Sequence, residues 1–190
     1  MSYRSIDPPF DQATREKSKK EIDSYSKWYR QVIPNRIIEL DAEVRLHPQF
    51  QDWMPDKSHE SLAPLGKWFE GQVQVRRKTE TEANAERAHV DPKFWMALKD
   101  YEFTERTISL ILDVSIYLGE VFLHTFSDAR RVKTHRNRHG GFTGCEVIEI
   151  PRGAWFVPDM EMFGFARDTV EGKRRFRLEE VIDLWRPNFE

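Results

Sequence analysis

The stretch TERTISLILDVSIYLGEVFLHT, residues 104–125, carries apolar side chains on nearly every side of a helical projection. Ile108, Leu110, Ile111, Leu112, Val114, Ile116, Leu118, Val121 and Phe122 cover most of the circumference. A helix apolar nearly all round sits in the middle of a domain. Thr104 is a good N-cap, and Phe103 and Ile108 fall at the two positions of a hydrophobic staple. The spacing therefore predicts a buried helix from about Glu105 to His124. Gly119 within it costs about 1 kcal/mol relative to Ala, which predicts a neighbouring backbone packed close by. Asp113 and Glu120 interrupt the run, which is short for crossing a bilayer.

Upstream, the apolar period is also helical. Ile22, Tyr25, Tyr29 and Val32 recur at three and four residues, with Trp28 beside them, so a helix is expected from Asp11 to about Ile33. Pro34 is expected to end or kink it and to open a second helix carrying Ile37, Leu40 and Val44 as far as His47-Pro48. Phe50 and Trp53 belong to a loop that tucks inward. Ser58 or Ser61 then caps a helix bearing Leu62, Leu65, Trp68, Phe69 and Val73. Residues 76–93 hold almost nothing to bury, and read as an exposed, mobile polar segment in which Thr79 and Glu82 match a capping box. Residues 1–10, with Pro8-Pro9, read as a flexible arm ahead of a single domain over 11–190.

After Ser127 the period shortens. RRVKTHR, GCEVIEI and DMEMFGFARD show alternation between Gly- and Pro-rich breaks and are expected as antiparallel strands. Leu178, Val181, Ile182 and Trp185 form a closing helix before Pro187. The class is α+β: a helical N-terminal two-thirds around a central buried helix, then a small antiparallel sheet and a short C-terminal helix.

Composition narrows the functional classes. Thirty Lys and Arg face 32 Asp and Glu, a net charge of −2, and the excess is similar in both halves of the chain. No global field draws this protein to nucleic acid or to an anionic membrane, so an electrostatic role has to be local. Cys145 stands alone, which excludes an internal disulfide framework. The opening residues MSYRSIDPPFDQ contain no apolar secretory core. A cytoplasmic protein without membrane contact is expected.

The densest local charge is RRVKTHRNRHGG, residues 130–141, with Arg130, Arg131, Lys133, Arg136 and Arg138 and no acid among them. It reads first as a solvated hairpin turning at Gly140-Gly141, and second as a grip for an acidic protein or for phosphates. His135 and His139 are four apart, but in a turn among cations that spacing does not make a metal site. On the central helix Asp113 and Glu120 share a face, with His124 and Arg106 extending the stripe. The two acids are about 10.5 Å apart along the axis, too far to hold one metal unaided. The stripe reads as salt-bridged surface or contact face; an enzyme would need Asp113, Glu120 and His124 to line one pocket. Trp95 and Trp155 lie near loops, where an aromatic residue can anchor an interface. Nucleotide-binding glycine loops, a nucleophile elbow and Cys-x-x-Cys pairs do not occur. No catalytic residue, metal or cofactor is expected.

The phrases KWYRQVIPNRIIEL, DWMPDKSHESLAPLGKWFE and TERTISLILDVSIYLGEVF together resemble a group of bacterial proteins with a helical front, a long helix ending in a YLGEVF-like phrase and a small C-terminal sheet. Those proteins look similar to the immunity antidotes that accompany secreted polymorphic toxins. The similarity spans roughly residues 25–125 and brings no catalytic residue with it. It implies a non-catalytic protein that binds and neutralises a toxin domain. The partner-binding candidates are then Arg130, Arg131, Lys133, Arg136, Arg138, Asp113, Glu120 and Trp155. Nucleic-acid binding through the 130–138 hairpin is the alternative.

Overall fold

The computed structural model describes residues 3–7, 18–134, 146–173 and 176–189. Helix α1 runs over Lys19–Arg45. Ser18 and Glu21 form a reciprocal capping box at its start, the Ser18 N–H donating to the Glu21 carboxylate at 2.7 Å. The break expected at Pro34 does not occur, and the two expected helices are one. Pro34 and Arg30 both lie on the exposed side, so the Arg30 carbonyl deprived of its partner can turn to water. The opposite side buries Ile22, Tyr25 and Tyr29 before the proline and Leu40 and Val44 after it, and that packing holds the helix together across it.

After a turn containing the buried Phe50 and Trp53, helix α2 (Leu62–Glu70) places Leu62, Leu65, Trp68 and Phe69 in the core. Strand β1 (Val75–Arg77) leads into helix α3 (Glu80–Ala88), and strand β2 (Tyr101–Phe103) returns antiparallel to β1, pairing Arg76 with Glu102. This two-stranded ribbon brackets the segment 76–93 that reads as exposed and polar, and neither strand is expected from the sequence. Three residues per strand are too few to show an alternation, and pairing alone reveals them. The capping box at Thr79 and Glu82 is present.

Helix α4 (Glu105–Thr125) is the expected central helix, capped by Thr104, whose hydroxyl accepts the Thr107 N–H at 3.2 Å. By length and composition it could cross a membrane, but 78% of that apolar window is buried within the fold. It packs against α1 on one side and, on another, against helix α5 (Pro158–Glu171). Between α4 and α5 lie strands β3 (Arg130–Lys133), β4 (Glu146–Glu149) and β5 (Trp155–Phe156), antiparallel in that order. The short helix α6 (Glu180–Trp185) closes the chain.

The expected third strand, DMEMFGFARD, is instead the body of α5, and the strand is Trp155–Phe156. The alternation of Met, Glu, Met, Phe, Gly and Phe imitates a strand. Stronger signals prevail: Pro158 at the first helical position, Asp159 and Glu161 in the first turn, and Gly172 at φ 63° as C-cap. Met162, Phe165 and Ala166 are buried at helical spacing. Gly119 also differs from its reading. A Cβ there would come within 3.2 Å of the Arg131 guanidinium and 3.3 Å of the Pro158 ring. Side chains, not a backbone, need the space.

Part of the expected loose arm is docked. Tyr3 hydrogen-bonds through its hydroxyl to Asp113 and to Ser109, and the Ile6 N–H donates to the Ser109 hydroxyl at 2.7 Å. Residues 3–7 thus lie along the seam of α1 and α4.

Candidate functional site

The acidic stripe of α4 is divided between two internal networks. Asp113 is 1% exposed and takes a two-pronged contact from Arg36, Nε to Oδ1 at 2.7 Å and Nη2 to Oδ2 at 2.6 Å. Arg36 is itself buried and also donates to the Arg4 carbonyl at 2.9 Å. Burial raises the Asp113 carboxyl, while Arg36 and Tyr3 pull it back without fully cancelling that effect. As a partner-binding candidate Asp113 is therefore corrected: its carboxyl is enclosed beneath the N-terminal segment. Arg106, further along the stripe, pairs with Glu43.

Two turns on, Glu120 bridges the Lys57 ammonium at 2.8 Å and the Arg131 guanidinium at 3.0 Å. Burial pushes Glu120 up, but the two cations together outweigh it and hold the carboxyl below its usual range. Lys57 adopts a left-handed φ of 62°, and its N–H donates to the Tyr117 hydroxyl at 3.0 Å. His124 is exposed. Asp113, Glu120 and His124 do not converge on one pocket.

The basic run is likewise occupied where it is described. Arg130 meets Glu149 across the strand pair at 2.6 Å, and Lys133 pairs with Asp23 of α1. Arg131 turns inward, over the Tyr29 ring at 5.6 Å. Its Nη1 is buried with no hydrogen-bond partner among the described residues. Trp155 is half-buried in β5, opposite Glu149. Arg136 and Arg138, with His135, His139, the glycine turn and Cys145, lie outside the described residues.

The same inward cluster holds a titratable group that the sequence did not single out. Asp159, at the start of α5, lies within reach of the Ser115 hydroxyl and the Arg131 charge, yet burial raises its carboxyl from 3.8 to about 6. Because the folded pKa lies above the unfolded one, the native state holds the extra proton between about pH 4 and 6, and stability falls as pH rises through that window. At about 1.4 kcal/mol per pKa unit, and allowing for partial exposure, the loss above pH 6 is about 2 kcal/mol. Asp159→Asn is expected to remove this slope and to be more stable than the unaltered chain at pH 8, with little difference at pH 4. Urea midpoints at both pH values test this, and an equal gain at both would reject a titration origin.

An open concavity lies elsewhere, against the 75–103 excursion. Leu98, Phe103, Ile108 and Phe163 give it a mostly apolar floor, with Lys78, Lys99, Tyr101 and Arg167 around it, in a volume of about 460 Å³. Phe103 and Phe163 approach to 6.3 Å between ring centroids. Ile108, read as a core residue, is 39% exposed on this floor. The excursion is fastened at its base, where the Gln74 carbonyl accepts from the Thr104 N–H at 3.1 Å and from the Thr107 hydroxyl at 3.0 Å. Lys78 pairs with Glu86 at 2.6 Å, Lys99 with Glu171 at 2.6 Å, and Arg76 bridges Glu82 and Glu102. Among the described residues no cluster of three or more His, Cys, Asp or Glu is arranged to hold a metal ion.

The chain is thus an α+β protein in which the described charges of the α4 stripe and of the basic run are engaged in internal pairs, with an open, mostly apolar groove beside an uncovered helix. Comparison with protein-family models, with curated proteins and with solved structures gives no match.

Proposed function

We propose that this chain is a non-catalytic binding protein of the immunity type, which neutralises a toxin partner by covering it. One observation carries the reading: α3 buries none of its residues, yet it is capped and tied by ion pairs to the strand before it and to Lys78. A helix that adds nothing to the core is normally frayed, because short helices owe their stability to a packed face. Here a capping box, the Arg76–Glu82 and Lys78–Glu86 pairs and the Gln74 clamp order it in advance. Ordering before contact lowers the entropy cost of binding. The exposed Val75 and Trp95 belong to the same excursion and are candidate anchors. The resemblance of residues 25–125 to toxin antidotes supplies the class of partner.

The test is a tagged pull-down from the cells that carry this gene, washed at low and high salt, followed by expression of the captured protein in a second host. The expected result is one protein in equal amount that resists salt, arrests growth when expressed alone, and is silenced by this chain. Reversing two exposed charges on α3, Glu80→Lys and Arg87→Glu, is expected to weaken the complex by about tenfold or more. Full protection by that variant sinks the α3 surface. Nucleic acid that leaves with salt would instead favour the second reading, carried by Arg136 and Arg138.

A further inference from the structure

The groove against the excursion adds a chemical preference to this reading, on which it rests. Its charged rim is nearly neutralised from within. Lys78 is matched by Glu86, Lys99 by Glu171 and Glu102 by Arg76. Arg167, on the exposed side of α5, is the lining cation with no ion pair among the described residues. The floor beneath it is the surface of Phe103, Ile108 and Phe163. Ile108 sits one turn into α4, a position a core-directed staple would bury, but the side chain is left to the groove. An apolar floor with one unmatched positive charge at its edge suits an occupant of opposite design.

We propose that this groove receives an aromatic or large aliphatic side chain with an adjacent carboxylate, presented by the protein partner, with Arg167 taking the carboxylate. A protein source is favoured over a free acid by continuity. Glu86 of α3 and Lys78 just before it form one wall, so an occupant entering here also meets the uncovered helix. A guanidinium suits the role because its planar donors grip a carboxylate through two hydrogen bonds.

The experiment titrates isotope-labelled full-length chain with acetyl-Phe-Glu-amide, acetyl-Phe-Lys-amide and acetyl-Ala-Glu-amide, and with 3-phenylpropionate, following amide shifts by NMR. The Phe-Glu peptide is expected to move Phe103, Ile108, Phe163 and Arg167, and to bind about fivefold or more tighter than either comparator peptide. Arg167→Glu is expected to reverse the preference towards Phe-Lys, and Ile108→Ala to weaken both. Shifts elsewhere, equal binding of the three peptides, or an unchanged preference in Arg167→Glu would overturn the assignment. Tighter binding of 3-phenylpropionate than of any peptide would overturn the protein source. The two readings fail separately. Capture of a toxin equally firmly by Arg167→Glu removes the groove and leaves the antidote reading standing. The expected dipeptide preference with no toxin recovered keeps the groove and removes the antidote reading.

Discussion

Replacing Arg36 by methionine is expected to lower the unfolding free energy by about 3–5 kcal/mol, because it leaves the Asp113 carboxylate buried without its cation. The methionine fills much of the same space, so the cost is electrostatic rather than a cavity. Tyr3 and Ser109 remain near Asp113, but a phenol and a hydroxyl do not neutralise a charge. The carboxyl, already raised by burial, then rises further above its unfolded value. The deficit is therefore largest at neutral and alkaline pH, and shrinks as falling pH supplies the proton. Removing both charges together, as Arg36→Met with Asp113→Leu, is expected to recover most of the loss, since a buried ion pair and a packed apolar pair often have similar stability. Urea unfolding of the single and double variants at pH 5 and pH 8 measures both effects. A double variant as unstable as the single one would assign the loss to packing. The N-terminal segment is a second readout: with Tyr3 deprived of its charged neighbours, amides 3–7 are expected to exchange faster.

That pair also marks where sequence reasoning stopped. Asp113 was legible as an oddity on an apolar helix, but Arg36 lies 77 residues away on a helix that was expected to break just before it. Nothing local distinguishes a buried arginine from a solvated one. What was legible rests on period and cap chemistry: the central helix, its Thr104 cap, the Thr79–Glu82 box, the inward Phe50 and Trp53, and the α+β order of elements. Each is decided within a few residues of chain. The errors arose where a local rule met a stronger distant one. Pro34 forbids a hydrogen bond, yet packing on the far side of α1 keeps the helix whole. The strand-like alternation of 159–168 yields to a helix start at Pro158 and to burial of Met162, Phe165 and Ala166. The groove was illegible for a similar reason. Phe163 and Arg167 sat inside a misread strand, and Ile108 looked like core.

Phe122→Ala is expected to cost about 3–5 kcal/mol and to loosen the C-terminal end of the fold before the helical core. Phe122 stacks on Phe156 at 4.1 Å with 13° between the rings, and meets Phe126 at 4.8 Å. Trp185 and Phe189 stand edge-on to it at 6.2 and 5.9 Å. One side chain of α4 thus joins β5, the end of α6 and the last turn of the chain. Truncation removes the apolar transfer energy, the aromatic pairs at about 0.5–1.5 kcal/mol each, and the wall against which Trp185 packs. Phe122→Leu keeps most of the volume and is expected to lose about 1.5 kcal/mol or less. The distinction between the two lies in what unfolds. Leu40, Val44, Leu110 and Val114 share one core cluster with Phe122 but lie on α1 or two or more turns away on α4, so the far-ultraviolet helical signal is expected to persist in Phe122→Ala at urea concentrations where the indole NMR signal of Trp185 has already moved to its unfolded position. Coincident transitions by both probes would mean that the aromatic cluster and the α1–α4 core unfold as one cooperative unit.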